Sequence, residues 1–316
     1  MGGVLEAPCL VRNFGDITAV DGSDLEVSEG EVLGFLGPKG AGKSTAVRVF
    51  TTLLRPSSGI ARVGGHDGVT EAGAVRRIIG VALQDAAIDP LMTANELVRL
   101  QAVLHAIPRT QARTRGGELL ARVGLSAAAD RRVSTYSGGM RRRLDLALSL
   151  IHEPSILFLD EPTTGLAPTS RQALWEEVRR LNTEQGTTVF LTTQYLEEAD
   201  QLADRIAIID SGRIVRHGSP IELKATVGAP TLRVDISGGD IDVARMVLAE
   251  FGGPRPAREG RLAVGLEGGA GQLAEVIRAL DQAGIGVVHF ELDAPSLDDV
   301  FAEATGRRLE GAGADE

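Results

Sequence analysis

A chain of 316 residues with 43% hydrophobic and 24% charged residues has the balance of a soluble globular protein, which excludes both a disordered polypeptide and one embedded in a membrane. Its single cysteine, Cys9, excludes an internal disulfide and a structural zinc site, which needs about four Cys or His ligands. A net charge of −10 argues against nucleic acid as a partner, since such proteins present a clustered basic face.

Residues 5–36 alternate apolar runs with Gly/Asp turns at Gly15-Asp16, Asp21-Gly22 and Glu29-Gly30, a pattern that predicts short strands, the last spanning Glu31 to Leu36. A glycine-rich loop follows, then a helical pattern from Lys43 to Leu54 that ends at Arg55-Pro56-Ser57-Ser58-Gly59. Further strand-like runs occur at Ile78 to Leu83, Ile156 to Leu159, Thr188 to Thr192 and Ile206 to Ile209. Continuous apolar strands separated by helices predict an α/β fold with a parallel sheet buried on both faces. Between them, residues of about 88–150 lose strand character and read as a helical insertion. Composition shifts after Ser219-Pro220, and the stretch Gly228 to Pro230 reads as a linker. Residues 1–222 and 231–316 are therefore expected to form two domains, the second a small α/β unit. In it, strands are expected around Leu232 to Ile236, Leu262 to Leu266 and Gly286 to Leu292. Helices are expected from Ile241 to Phe251, from Gln272 to Ala283 and from Ser296, where Ser296 and Asp299 resemble a capping box. The tail from Gly311 should fray. No stretch approaches the ~18 apolar residues needed to cross a bilayer, and Met1 to Leu10 do not form a secretory leader, so the expected location is the cytosol.

The loop Gly37-Pro38-Lys39-Gly40-Ala41-Gly42-Lys43-Ser44, followed by Thr45, satisfies G-x-x-x-x-G-K-[ST] between a predicted strand and a predicted helix. Glycines let backbone N–H groups turn inward around a phosphate, and the helix N-terminus adds its positive end. Lys43 would reach the β- and γ-phosphates of a nucleoside triphosphate, and Ser44 would hold Mg²⁺. The chain has three lysines, Lys39, Lys43 and Lys224, against 30 arginines, and two of the three lie in this loop. Lysine and arginine are not interchangeable in a tight phosphate cradle, so the exception points to a chemical requirement at Lys43. The strand Ile156 to Leu159 ends in Asp160-Glu161. Ligands gather at the carboxyl ends of such strands, so Asp160 is expected to orient Mg²⁺ and Glu161 to polarise the attacking water. The run Arg141 to Arg143 reads as a solvated helix face.

These elements, with Tyr136-Ser137-Gly138-Gly139-Met140 ahead of a long helix, resemble the ATP-binding cassette family and its signature motif. The resemblance covers residues 5 to about 220 and implies a phosphate-loop ATPase cassette with a parallel core sheet, an N-terminal antiparallel sheet and a helical subdomain. It implies ATP and Mg²⁺ as cofactors. It also implies a dimer with a second copy or a paralogue, in which Ser137, Gly138 and Gly139 face the γ-phosphate held by the other subunit. Phe14, which as a bare residue reads as core, matches the adenine-stacking aromatic. Gln84, otherwise a surface glutamine, matches the residue that touches Mg²⁺ and senses a membrane partner. Thr192 to Asp200 matches the switch region.

Three positions depart from the family pattern. Gln194 stands where most members carry a histidine; its amide donates a hydrogen bond but carries no charge. Ala167 replaces the aspartate of the D-loop, removing a helix N-cap, and Thr169 with Gln172 is expected to start the helix two residues later instead. Lys39 replaces an asparagine that in the family lies near the partner's D-loop, so Lys39 and Ala167 are expected to act together on the dimer interface. Tyr136 to Ala147, Thr192 to Asp200 and Pro295-Ser296-Leu297-Asp298-Asp299-Val300-Phe301 resemble the ATPase subunits of daunorubicin/doxorubicin-type exporters. That branch implies an ATPase peripheral on the inner face of the membrane, bound to a separately encoded integral membrane permease. An importer or lipid-export ATPase, a weakly active partner of a competent paralogue, and a soluble cassette ATPase of DNA repair or translation are the alternatives.

Overall fold

The computed structural model describes residues 3–84, 88–237, 241–255, 261–307 and 309; the expected fraying from Gly311 lies outside these. The chain divides into two compact units, one running through Pro220 and including Leu309, the other starting at Ile221 and ending before Leu309. The first unit contains, in chain order, β1 (Leu5–Phe14), β2 (Ile17–Val27), β3 (Val32–Leu36), α1 (Lys43–Phe50), β4 (Arg62–Val63), β5 (His66–Asp67), α2 (Ala72–Ile78) and β6 (Ile79–Ala82). It continues with α3 (Ala94–Leu104), α4 (Arg109–Arg122), α5 (Gly138–Ser149), β7 (Ile156–Asp160), α6 (Pro168–Gln185), β8 (Thr188–Thr193), α7 (Leu196–Leu202), β9 (Arg205–Asp210) and β10 (Arg213–Gly218).

Six strands form the main sheet in the order β10-β9-β3-β8-β7-β6. All neighbours run parallel except the edge strand β10, which is antiparallel to β9. Every residue of β3, β7 and β8 is buried, as the apolar runs require when both faces of a sheet are covered. On one side Phe35, Phe50, Phe158 and Phe190 form a contiguous aromatic cluster with centroid separations of 5.3 to 6.2 Å. Because β3 and β7 both flank β8, the segments leaving their carboxyl ends emerge two strands apart on the same edge of the sheet.

The N-terminal strands form an antiparallel sheet ordered β2-β1-β4-β5. Here the expectation of short strands is corrected. β1 and β2 run for 10 and 11 residues and join only at Gly15-Asp16. Asp21-Gly22 does not end a strand; Gly22, at φ +64°, lies in β2, where pairing passes from Leu10↔Ser23 to Arg12↔Val20 and leaves one extra residue on that strand. A bulge absorbs the turn residues without breaking the ladder. α1 stops at Phe50 instead of Leu54, and Ile78 closes α2 instead of opening β6.

The helical insertion begins at α3, where Glu96 N donates to Thr93 Oγ1 (3.2 Å) and Thr93 N to Glu96 Oε2 (2.8 Å), a complete capping box. α4 approaches α3 through Gly116, whose added Cβ would lie 2.2 Å from Val98 Cγ1. The expected late start of α6 is not found. That helix opens on Pro168 with Ala167 in the N-cap position and no side-chain cap, because proline pre-sets the helical φ at the first turn.

The second unit opens with α8 (Pro220–Thr226) and continues with β11 (Thr231–Ser237), α9 (Ile241–Ala249), β12 (Arg261–Gly265), α10 (Leu273–Gln282), β13 (Gly286–Asp293) and α11 (Leu297–Thr305). Its antiparallel sheet, ordered β12-β11-β13, packs Leu232 and Val234 against Ala244, Leu248, Val276 and Leu280 of α9 and α10. The other face carries ion pairs, Arg261–Asp235 at 2.8 Å and Arg233–Asp293 among them. Ser296 and Asp299 form the expected capping box on α11.

Candidate functional site

The loop between β3 and α1 is fixed by sterics at its glycines. A Cβ at Gly37 would lie 2.3 Å from the Ile209 carbonyl oxygen, and one at Gly42, where φ is +106°, would lie 2.1 Å from that of Ala19. Only glycine meets both constraints. Pro38 is half-buried, Lys39 and Gly40 are exposed, Ala41 is buried, and Ser44 and Thr45 are half-buried at the start of α1.

The Lys43 side chain turns back into the loop. Its Nζ donates to the carbonyls of Gly37 (2.7 Å) and Pro38 (3.0 Å) and lies 3.3 Å from Glu161 Oε1. Burial lowers its pKa, and the charges of Glu161 and Asp160 oppose that shift. Ser44 Oγ donates to Asp160 Oδ1 at 3.1 Å, and Thr192 Oγ1 donates to the same oxygen at 2.5 Å. Asp160 is 2% exposed and Glu161 8%. Adjacency of β3, β8 and β7 thus brings Lys43, Ser44, Asp160, Glu161 and Thr192 into one polar cluster.

Glu161 leaves β7 at φ +48°, the left-handed region that a non-glycine residue occupies only when its surroundings impose it. Its N–H donates to the Thr192 carbonyl and to Thr192 Oγ1, each at 3.1 Å, and Thr164 Oγ1 donates to its Oε2 at 3.4 Å.

The remaining predicted residues sit apart, and among the described residues no hydrogen bond or ion pair joins their side chains to this cluster. Phe14 is 44% exposed at the β1–β2 hairpin, with the Arg12 guanidinium 4.5 Å from its ring centroid. Ser137 caps α5 by accepting from Met140 N at 3.2 Å; Ser137 and Gly138 are exposed, and Gly139 is half-buried against Leu166 and Ser170. Gln194 is half-buried directly after β8, Gln84 is exposed directly after Leu83, and Ala167 is exposed.

Of the run Arg141 to Arg143, Arg141 is exposed as expected and Arg143 is half-buried, but the solvated-face reading fails at Arg142. Arg142 is 8% exposed, and its guanidinium is bonded to main-chain carbonyls beside Glu161. The signal was available, because Arg142 precedes the buried Leu146 by four residues and the buried Ser149 by seven, the spacing of one helix face. A groove of about 570 Å³ opens nearby, lined by Leu83, Ile88, Leu97, Leu100, His105 and Asp145 among others. The His105 ring stacks on His152 at 3.8 Å, and burial lowers the pKa of both. Burial also raises the Asp145 carboxyl to about 6, against the opposing pull of Arg142.

Comparison with known proteins agrees with this geometry. Residues 20–164 match the ABC transporter family model, and residues 218–305 match the model of the ATP-binding protein DrrA1-3-like C-terminal domain. The daunorubicin resistance ATP-binding protein of Streptomyces coeruleorubidus is 47% identical over 304 residues, covering 95% of this chain and 96% of the relative. The chain belongs to the ABC transporter ATPases. The chain is also 45% identical over 309 residues to the daunorubicin/doxorubicin resistance ATP-binding protein of Streptomyces peucetius, covering 96% of this chain and 92% of the relative. A dimeric ATP-binding cassette solved with ADP and phosphate superposes at a TM-score of 0.63 and 27% identity, covering 68% of this chain and 98% of that one. ATP binding and hydrolysis coupled to transport follow from that membership. No helix among the described residues is long and apolar enough to cross a membrane.

Proposed function

We propose that the cassette powers export of a drug or other amphipathic compound through a separately encoded integral membrane permease, and that it works as a dimer with a second copy or a paralogue. The names of the relatives, their near full-length coverage and the matched C-terminal domain support this reading. The observation that carries the chemistry is the convergence of Lys43, Ser44, Asp160 and Glu161 on one loop.

ATP entering this loop takes over Lys43. The ammonium exchanges the carbonyls of Gly37 and Pro38 for the β- and γ-phosphates, while backbone N–H groups from Gly40 to Thr45 turn toward the chain of phosphates at the start of α1. The oxygen donors Ser44 and Asp160 suit Mg²⁺, a hard cation that takes few protein ligands beside phosphate oxygens, and Gln84 completes the set on the family resemblance. When bound, Mg²⁺ neutralises charge on the β- and γ-phosphate oxygens. Glu161 accepts the proton of the water that attacks the γ-phosphorus. Gln194 donates an amide hydrogen bond toward the same phosphate. Phe14 supplies a ring face to adenine. Ser137, Gly138 and Gly139 of one subunit cover the nucleotide of the other, which their exposure permits. We assign the groove beside Leu83 and Asp145 to the permease, and on this reading the cassette works at the inner face of the membrane.

Two measurements test the reading. Purified cassette should hydrolyse ATP, and Glu161→Gln should lower turnover by about 10² to 10⁴ fold while sparing nucleotide binding. Cells carrying the cassette with its neighbouring permease should accumulate less of a fluorescent anthracycline than cells carrying the permease with Glu161→Gln; equal accumulation would remove the export assignment.

A further inference from the structure

The Arg142 guanidinium has no part in the phosphate cradle, the metal ligands or the base. Its partners are main-chain carbonyls at strand ends. Nε donates to Pro162 O (3.0 Å), Nη2 to Asp160 O (2.6 Å) and Glu161 O (2.9 Å), and Nη1 to Gln84 O (3.4 Å) and, at close range, to Leu83 O. Asp145 Oδ2, one turn along α5, lies 3.8 Å away. One side chain therefore joins the signature helix to the segments leaving β6 and β7.

That grip bears on an observed strain. Glu161 sits at φ +48°, and its own N–H is held by Thr192 while its carbonyl is held by Arg142. Both peptide units flanking the left-handed residue are thus fixed from outside. A conformation of this kind persists only where neighbours over-determine it. The Glu161 carbonyl also accepts from Thr164 N at 3.3 Å within its own turn, so removing the Arg142 fork leaves that unit only this local hydrogen bond and no anchor from α5.

We propose that Arg142 is a positioning residue for ATP hydrolysis: by binding the carbonyls of Asp160, Glu161 and Pro162 together with those of Leu83 and Gln84, it holds Glu161 in its reactive conformation. The inference rests on Glu161 being the general base. Lysine keeps the charge but has a single compact ammonium in place of the planar fork, so it cannot span both groups of carbonyls.

Arg142→Lys and Arg142→Gln should be assayed singly and in the Glu161→Gln background, by steady-state and single-turnover hydrolysis, by binding of a fluorescent ATP analogue and by thermal melting. Arg142→Lys should lower kcat by about 10 to 10² fold, the loss expected of a misplaced catalytic group, with KM and nucleotide affinity within about threefold of wild type. In the Glu161→Gln background the same change should lower the residual rate by less than about twofold, because residues that act as a unit are not additive. Wild-type kcat in Arg142→Lys, a raised KM with kcat intact, or losses that multiply in the double variant would each overturn the proposal. Loss of a cooperative melt in both Arg142 variants would also overturn it, making the arginine a fold-holding cation. Unchanged turnover in Glu161→Gln alone would instead remove the base assignment, and that result is read without any change at Arg142.

Discussion

Replacing Glu161 by Gln perturbs two things at once, and the structure separates them. The carboxylate lies 3.3 Å from Lys43 Nζ with both groups buried. At an effective dielectric of about 20 that attraction is about 5 kcal/mol gross. Part of it is returned because the variant no longer desolvates a carboxylate, and the Gln amide oxygen still accepts from Lys43. A net loss of about 2 kcal/mol, or about 4 to 8 °C in Tm, is expected for the nucleotide-free protein. With ATP bound the phosphates replace Glu161 as the partner of Lys43, and the carboxylate becomes a like charge beside the γ-phosphate. The Tm deficit should therefore vanish or reverse at saturating ATP and Mg²⁺, and the variant should bind ATP more tightly than wild type. Thermal melts of both proteins with and without ATP read this directly, and the turnover loss of about 10² to 10⁴ fold is measured on the same samples. A Tm deficit of equal size in the presence and absence of ATP would refute the reasoning, since it would mean that Lys43 does not change partners.

Three further outcomes follow from the geometry. Gly42→Ala places a Cβ 2.1 Å from the Ala19 carbonyl oxygen at φ +106°, so it should destabilise the fold by about 2 to 4 kcal/mol and abolish ATP-analogue binding, read by urea unfolding and fluorescence. Ala167→Asp gives α6 the side-chain cap it lacks and should stabilise by about 1 kcal/mol in a melt; combined with Lys39→Asn, its effect on ATPase rate should be non-additive if the two positions act together across the dimer. Asp145, raised to about 6, binds its proton more tightly in the folded state than in the unfolded state, so its contribution to stability is complete below about pH 4 and is lost as pH rises through about 6. The loss amounts to about 3 kcal/mol, and Asp145→Asn should flatten the corresponding slope in chemical denaturation between those limits.

The phosphate loop and the Asp160-Glu161 pair were legible because each lies where an apolar run stops, and both central strands are buried along their whole length. The capping box at Ser296 was legible because its two hydrogen bonds are local. What escaped reading depended on strand pairing, on a neighbour that replaces a cap, or on partners far along the chain. Asp21-Gly22 has turn chemistry, but long pairing with β1 converts it to a bulge. Ala167 looked like a lost helix start, but Pro168 sets the first turn without a cap. Arg142 sits in a run of three arginines, of which helix periodicity buries the middle one, and its acceptors lie 18 to 20 residues downstream and 58 to 59 upstream. No local pattern announces such a partner set.

Arg142 grips oxygen atoms that every amino acid carries, so the side chains at Leu83, Gln84, Asp160, Glu161 and Pro162 are free to change without releasing it. Chemistry and scaffold are thereby uncoupled at this edge of the sheet. A lineage can exchange the residue that handles the water, or the one that reads the membrane partner, while the frame presenting them stays in place.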